Sequence, residues 1–138
     1  MRRSTAAIAF AMILALGACS KTKDTGFNNL PKPKTSGGAG AVTGIKLLGG
    51  NTFDPGSFTA KVGEKVTWTD TDGSAPHNIV SDTALFNPNP DCLKDTSKCM
   101  SSGQTFTFTF AKAGKYAYYC AIHGGKGGIG MSGVVEVS

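Results

Sequence analysis

Short runs of strand-forming residues, several with alternating apolar and polar positions, recur along the chain from residue 42 onward. In the run 105–110, three phenylalanines alternate with threonines, which is typical of a strand with one buried face. Comparable runs occupy positions 42–48, 57–62, 65–70, 77–81, 116–120 and 133–137, with turn residues between them. None has helical spacing, so they predict about seven to eight strands in an antiparallel sandwich or barrel.

A different pattern occupies the N-terminus. Arg2 and Arg3 precede eleven apolar residues, 6–16, and small residues follow them. A basic start, a short apolar run and a small-residue cleavage site predict a signal peptide over residues 1–18. The apolar run is too short to span a bilayer, which takes about 20 residues.

The predicted signal sequence ends in a cysteine. The segment Leu16-Gly17-Ala18-Cys19 resembles a bacterial lipobox. The resemblance implies that Cys19 is lipidated and that the exported protein is anchored to a bacterial membrane, on its periplasmic or extracytoplasmic face. Plain secretion, with Cys19 as a free thiol, is the alternative.

A linker follows the predicted anchor. Residues 19–41 contain Pro31, Pro33 and a glycine-rich end, and they lack apolar periodicity. Such a composition is typical of a flexible linker, here a lipid-anchored one. The folded domain is therefore predicted to span residues 42–138.

The net charge of +5 arises outside that domain. Residues 42–138 contain eight lysines and eight acidic residues, so the domain itself is neutral. Because it offers no basic face, nucleic acid is excluded as a partner.

The four cysteines fall into separate roles. Cys92 and Cys99 lie in a polar segment with six residues between them, and in an exported protein they can form a disulfide. Cys120 then remains unpaired, and an unpaired cysteine in an exported protein favours a thiol that serves as a ligand. A bridge from Cys120 to either of the other two is the alternative.

Cys120 lies close to other soft ligands. His123 and Met131 follow it in one glycine-rich segment, and thiolate, imidazole and thioether together are used mainly for copper that changes oxidation state. A blue copper site needs a second imidazole, and the only other histidine in the chain is His77. The sequence therefore predicts one copper ion, Cu(I)/Cu(II), with metal ligands His77, Cys120, His123 and Met131.

Other interpretations of these residues fit less well. Thioether is a poor zinc ligand, and a nucleophile–base pair of Cys120 and His123 would need an oxyanion hole and an orienting group. With two histidines in the chain, none is left for a type 2 or trinuclear copper centre. An enzyme is therefore not expected.

The same motifs resemble those of the cupredoxins, and within them the plastocyanin-like proteins. The resemblance covers about residues 42–138 and rests on FDPGSFTAKVGEKVTWTDTD, on His77-Asn78, and on the patterns Y-x-Y-x-C-x-x-H and G-M-x-G-x-V-x-V. It implies a Greek-key antiparallel β-sandwich with one type 1 copper held by the four residues named above. It also implies that Asn78 steadies the cysteine side of the site through a hydrogen bond.

One departure from the family pattern precedes the methionine. Seven residues lie between His123 and Met131, where plastocyanin-like proteins usually have four. The alignment of the closing strand favours Met131 as the axial ligand, and a carbonyl oxygen or no axial ligand is the alternative.

The function that the resemblance implies is one-electron transfer. His123 is expected to be the electron port, and Tyr119 either a second exit or an outward-facing aromatic residue. The expected partners are a redox protein donor and acceptor, such as a cytochrome or a membrane complex, and the protein is expected to be a monomer. Lys126 beside the port favours an acidic patch on a partner. The alternatives are a copper storage or delivery module and a metal-free adhesion domain.

Overall fold

Two β-sheets make up the part of the chain that the computed structural model describes, residues 34–35 and 44–138. In spatial order, one sheet contains β1 (Lys34–Thr35), β4 (Ser57–Ala60), β9 (Ile129–Val137), β8 (Gly114–Gly125) and β6 (Val80–Ser81). The other contains β3 (Thr52–Asp54), β2 (Gly44–Leu48), β5 (Lys65–Asp70) and β7 (Thr105–Thr109). A single turn of 3₁₀-helix lies at Thr96–Lys98. In these ranges no helix is long and apolar enough to cross a membrane.

The strand pairing is mixed. β2 pairs with β5 in parallel, and β4 pairs in parallel with both β1 and β9. The other neighbouring strands are antiparallel. Parallel pairs arise because the chain visits the opposite sheet before it returns, as it does between β4 and β9. The predicted all-β sandwich is confirmed, while its antiparallel character applies to four of the seven pairings in the described residues.

Some strand boundaries differ from the predicted ones. The nine strands of the described residues include β1 and β3, which at two and three residues are too short to produce an alternating pattern. The predicted strand 77–81 is reduced to β6, and His77 forms an isolated bridge with Met100 instead. β8 and β9 are longer than predicted because they pair with each other beyond Cys120.

The predicted N-terminal segments lie mostly outside the described residues. The signal peptide 1–18, Cys19 and all but two residues of the predicted linker 19–41 belong to that part of the chain. The two described residues form β1, which pairs with Phe58 and Thr59. The first strand of the other sheet begins at Gly44, two residues after the predicted start of the domain.

Trp68 occupies the centre of the core. It is fully buried on β5, and its ring lies 5.5 Å from that of Phe86, 5.7 Å from that of Phe106 and 5.3 Å from that of Tyr118, between ring centroids. Such aromatic pairs contribute about 0.5–1.5 kcal/mol beyond the area they bury. Because Tyr118 belongs to β8, the Trp68–Tyr118 contact joins the two sheets. It also fixes the strand that carries Cys120 two residues later.

A disulfide joins Cys92 and Cys99, as predicted. Cys120 is free and fully buried, so the alternative bridge through it is wrong. A short closed loop of this kind adds roughly 2–3 kcal/mol of stability, mainly by restricting the unfolded chain. The bridge also supports the metal centre, because the amide of Met100, next to Cys99, donates a 2.8 Å hydrogen bond to the carbonyl oxygen of His77.

Candidate metal centre

Three side chains bring soft donor atoms to one point at an end of the sandwich. The Nδ1 atoms of His77 and His123 are 3.2 Å apart, and the sulfur of Cys120 lies 3.9 Å from the first and 3.6 Å from the second. Metal–nitrogen bonds of about 2.0 Å and metal–sulfur bonds of about 2.3 Å separate the donors of a trigonal site by roughly 3.5–3.7 Å. The residues therefore fit a single metal ion, and they are the metal-binding group found among the described histidines, cysteines and acidic residues.

A break in the β8–β9 ladder brings Cys120 and His123 to the same place. Pairing is regular up to Tyr119 opposite Ser132 and resumes only at Gly124 opposite Gly130. Four residues of β8, 120–123, thus lie opposite the single residue Met131. Bulges bend a strand and redirect its side chains. Here the extra residues let Cys120 and His123, three positions apart, converge.

The long segment between His123 and Met131 is a β-hairpin. Gly124 and Gly125 pair with Gly130 and Ile129 around a turn at 126–128. A Cβ on Gly124 would lie 2.6 Å from the carbonyl oxygens of both Ile129 and Met131. Gly130 has φ +59°, and a Cβ there would overlap the carbonyl oxygen of His123. The additional residues relative to the family pattern therefore form paired structure whose close approach requires glycine.

The hairpin is also tied to the rest of the sandwich. Asp82, directly after β6, accepts a 3.0 Å hydrogen bond from the amide of Gly127 in the hairpin turn. The backbone amide of Asp82 in turn donates to the carbonyl of Ala117 on β8. The hairpin beside His123 is thus anchored at its tip as well as at its base.

Met131 lies opposite the bulge and is 1% exposed. It belongs to the same buried apolar cluster as Cys120. Its backbone position and burial place it beside the residues that carry the donor atoms.

His77 is fully buried and is held by a carboxylate that the sequence analysis did not single out. Its Nε2 lies 3.0 Å from Oδ2 of Asp72, whose side chain is 4% exposed. The other oxygen of Asp72 accepts hydrogen bonds from the amide and the hydroxyl of Ser74. These bonds from Ser74, followed by that of His77, hold the pKa of Asp72 well below its usual range. The segment Asp72-Gly73-Ser74 has only the pattern of a turn, so the sequence gives no sign of this contact.

Asn78 and Tyr119 both lie beside the segment that contains Cys120. Asn78 is 2% exposed, and its side-chain oxygen accepts a 2.7 Å hydrogen bond from the amide of Ala121, next to Cys120. Tyr119 is partly exposed on β8, opposite Val80.

His123 is the partly exposed member of the donor group. Its ring centroid lies 4.9 Å from that of His77. Burial lowers the pKa of His123 below its usual value, and the nearby His77 lowers it further. A lower pKa favours the neutral ring, which is the form that binds metal ions.

A thiolate with two imidazoles in an apolar setting matches the chemistry of copper electron-transfer sites. The donor set is too soft for magnesium or calcium, which take oxygen ligands. The arrangement suits an ion that is stable in two oxidation states with little movement of its ligands.

Comparisons with known proteins agree with this chemistry. The family model described as "Copper binding proteins, plastocyanin/azurin family" matches residues 44–138. The chloroplastic plastocyanin of Tetradesmus obliquus is 38% identical over 84 residues, which are 59% of this chain and 57% of that protein. The plastocyanin of Scenedesmus fuscus is 36% identical over 91 residues, 64% of this chain and 89% of that protein.

A solved structure shows the same likeness in three dimensions. The purple cupredoxin from Nitrosopumilus maritimus is 31% identical, with a TM-score of 0.54 over 69% of this chain and 98% of that chain. The residues matched by the family model include both histidines, Cys120 and Met131.

Proposed function

Since this chain belongs to the plastocyanin/azurin family of copper-binding proteins, we propose that it carries single electrons between redox proteins. His77, Cys120 and His123 hold the copper ion. When bound, the ion supplies a one-electron couple between Cu(II) and Cu(I).

The observation that carries this proposal is the converging triangle of donor atoms, in which His77 and the segment of Cys120 are held from outside the site. His77 is fixed by Asp72 and by the amide of Met100. The segment after Cys120 is fixed by the bond from Ala121 to Asn78. Since the ligands are held in place, little has to move when an electron arrives or leaves, which is what fast electron transfer requires.

Met131 is the proposed axial ligand. It lies opposite the bulge that contains Cys120 and His123, and its side chain is buried in the cluster around the cysteine. A weak thioether in this position is the usual complement of two imidazoles and a thiolate.

His123 is the proposed electron port, because it is the partly exposed member of the group. The hairpin beside it carries Ile129, which is 67% exposed, and the exposed Lys126. An apolar tip with one positive charge suits a redox partner whose docking face is apolar with an acidic rim. Tyr119, next to Cys120 in the chain and partly exposed, is the proposed second exit.

A carrier is favoured over a catalyst by the histidine count. The chain contains two histidines, and both contribute to the one donor triangle. A reaction at a second copper centre would need further imidazoles.

We further propose that the carrier works as a monomer at the outer face of a bacterial membrane. The support is the lipobox-like segment ending at Cys19, which lies outside the described residues. Because Lys34–Thr35 pairs with β4, 14 residues lie between Cys19 and β1, and a flexible chain of that length would average roughly 20 Å from end to end. That length would let the domain reach membrane-bound and periplasmic partners.

Copper titration followed by visible and EPR spectroscopy tests the site. One equivalent of Cu(II) is expected to give an intense thiolate-to-copper charge-transfer band, and Cys120→Ala is expected to abolish it. Cys92→Ser with Cys99→Ser, which removes the two disulfide-bonded cysteines but leaves the thiol of Cys120, is the matched control and should keep the band. A colourless copper-loaded protein would refute the proposal.

Stopped-flow reduction separates electron transfer from copper storage or delivery. A carrier exchanges electrons rapidly with a cytochrome and keeps its copper in the presence of a competing chelator. Slow electron exchange together with ready loss of copper to the chelator would favour the storage or delivery module instead.

A further inference from the structure

Asp72 contacts a proposed copper ligand through the ring nitrogen that does not face the site. Its Oδ2 lies 3.0 Å from Nε2 of His77, while Nδ1 of that ring faces Cys120 and His123. Both residues of the pair are buried, with side-chain exposures of 0% for His77 and 4% for Asp72. The contact is therefore sheltered from water.

The surroundings of Asp72 determine which partner holds the proton. Its Oδ1 accepts from the amide of Ser74 at 2.8 Å and from the hydroxyl of Ser74 at 2.5 Å. Two donors on Oδ1 favour the ionised carboxylate, and an ionised carboxylate can only accept, at Oδ2 as well. It follows that Nε2 of His77 carries the proton and that Nδ1 presents its lone pair to the site.

Within residues 44–138, no lysine or arginine neutralises this carboxylate. Apart from Ser74, its side chain contacts His77, which is uncharged when only Nε2 carries a proton. The backbone amide of Asp72 donates to Oδ1 of Asp70, another fully buried acid. The negative charge of Asp72 therefore acts on the imidazole and on whatever the imidazole binds.

We propose that Asp72 is a positioning residue for the copper site, which fixes the Nε2–H form of His77 and makes Cu(II) more favourable relative to Cu(I). The inference rests on the proposed copper function. Carboxylates that accept a hydrogen bond from a metal-bound histidine orient the ring and raise its basicity as a ligand. A buried negative charge also stabilises the more positive oxidation state, because the low local dielectric screens it weakly.

A purely structural role is the alternative to exclude. Asp72 also closes the turn to Ser74, so its loss would destabilise the fold whether or not it acts on copper. Folding stability therefore cannot test the proposal. The tautomer of His77 and the reduction potential can, since a turn-closing role leaves both unchanged.

The first measurement needs no variant. Nitrogen-15 NMR of the histidine rings in the full-length protein, copper-free and Cu(I)-loaded, reports which nitrogen carries the proton. We expect Nε2–H for His77 in both states, with a proton that exchanges slowly with water. A copper-free His77 protonated at Nδ1 would overturn the proposal.

The second measurement is the reduction potential of Asp72→Ala and Asp72→Glu. Asp91→Asn is the control, because it removes one charge from an exposed residue that pairs with Lys94. In Asp72→Ala the preference for Cu(I) over Cu(II) should rise about tenfold, if the loss in metal affinity that removal of such an outer partner causes falls mainly on Cu(II). For a one-electron couple, tenfold is about 59 mV.

The remaining outcomes distinguish the possibilities. Asp72→Glu, which keeps the charge, should stay closer to the wild type than Asp72→Ala, and Asp91→Asn should shift the preference less than twofold. If Asp72→Ala keeps the blue band but matches Asp91→Asn in potential, the inference is wrong while the copper function stands. If the wild type itself takes up no copper, the copper function is wrong. If Asp72→Ala does not fold, the wild-type tautomer and Asp72→Glu decide.

Discussion

The side-chain oxygen of Asn78 accepts a 2.7 Å hydrogen bond from the backbone amide of Ala121. Asn78 follows His77 and Ala121 follows Cys120, so one bond joins the chain segments next to two proposed ligands. Asn78 is 2% exposed, and water is poorly placed to substitute for its oxygen.

Asn78→Ala should therefore loosen the site as well as the fold. Loss of the partner of the partly buried amide at Ala121 should cost up to about 1–3 kcal/mol, which urea unfolding would measure. The EPR spectrum of the copper-loaded variant should also change. Asn89→Ala, which removes an exposed side-chain bond to the carbonyl of Lys98, is the control. It should change the EPR spectrum and the stability less than Asn78→Ala does. An unchanged EPR spectrum in Asn78→Ala would show that the bond does not steady the cysteine side.

Two glycines of the hairpin test its close packing. Gly130 and Gly127 both have positive φ, but a Cβ on Gly130 overlaps the carbonyl oxygen of His123, whereas a Cβ on Gly127 meets nothing within 4 Å. Gly127→Ala should cost about 1–2 kcal/mol for the left-handed backbone alone. Gly130→Ala should cost more and should also weaken copper binding, because it displaces the backbone of His123. Equal effects of the two substitutions on copper affinity would contradict this packing.

Met131→Leu tests the axial ligand. The swap nearly conserves volume, so stability should fall by less than about 1.5 kcal/mol. Loss of the thioether donor should raise the reduction potential, because it removes electron density that favours Cu(II). Met100→Leu is the control, since Met100 is also buried but follows the disulfide loop and pairs with His77 through its backbone. A potential that changes in neither variant would favour a carbonyl oxygen or no axial ligand.

Removal of the disulfide should weaken copper retention as well as stability, because the backbone links the disulfide loop to His77. The double substitution Cys92→Ser and Cys99→Ser should lower stability by roughly 2–3 kcal/mol. It should also speed the loss of copper to a chelator, because the loop that ends at Met100 supports the carbonyl of His77. Unfolding in urea and chelator kinetics measure the two effects separately. A copper dissociation rate equal to that of the wild type would show that the support is unimportant.

Cys19→Ser tests the proposed anchor. The variant should move from the membrane fraction to the soluble fraction and should lose labelling by a fatty acid precursor. Ser20→Ala changes the neighbouring residue without the thiol, and it should remain at the membrane. Membrane association that survives in Cys19→Ser would refute lipidation at this residue.

Local patterns determined much of the fold. The alternation in 105–110 predicts β7, in which Phe106 and Phe108 are partly buried and the threonines are exposed, and Phe110, directly after the strand, is buried. The shared inward register of Tyr116, Tyr118 and Cys120 also agrees with the burial of β8. These features can be predicted from the sequence because, in a strand with one buried face, every second residue is buried. Strands as short as β1 and β3 leave no such repeat.

The sequence by itself determined which chemical groups this protein has for binding copper, because two histidines, one unpaired cysteine and one nearby methionine leave few choices. Only the tertiary structure decided how they meet. It brings His77 to a partner 46 positions away, sets four residues of β8 against Met131, and folds the long segment before that methionine into a hairpin. It also places Asp72 on His77. These contacts depend on how distant segments pack and on which backbone pairs with which, and alternation of apolar and polar residues does not encode either.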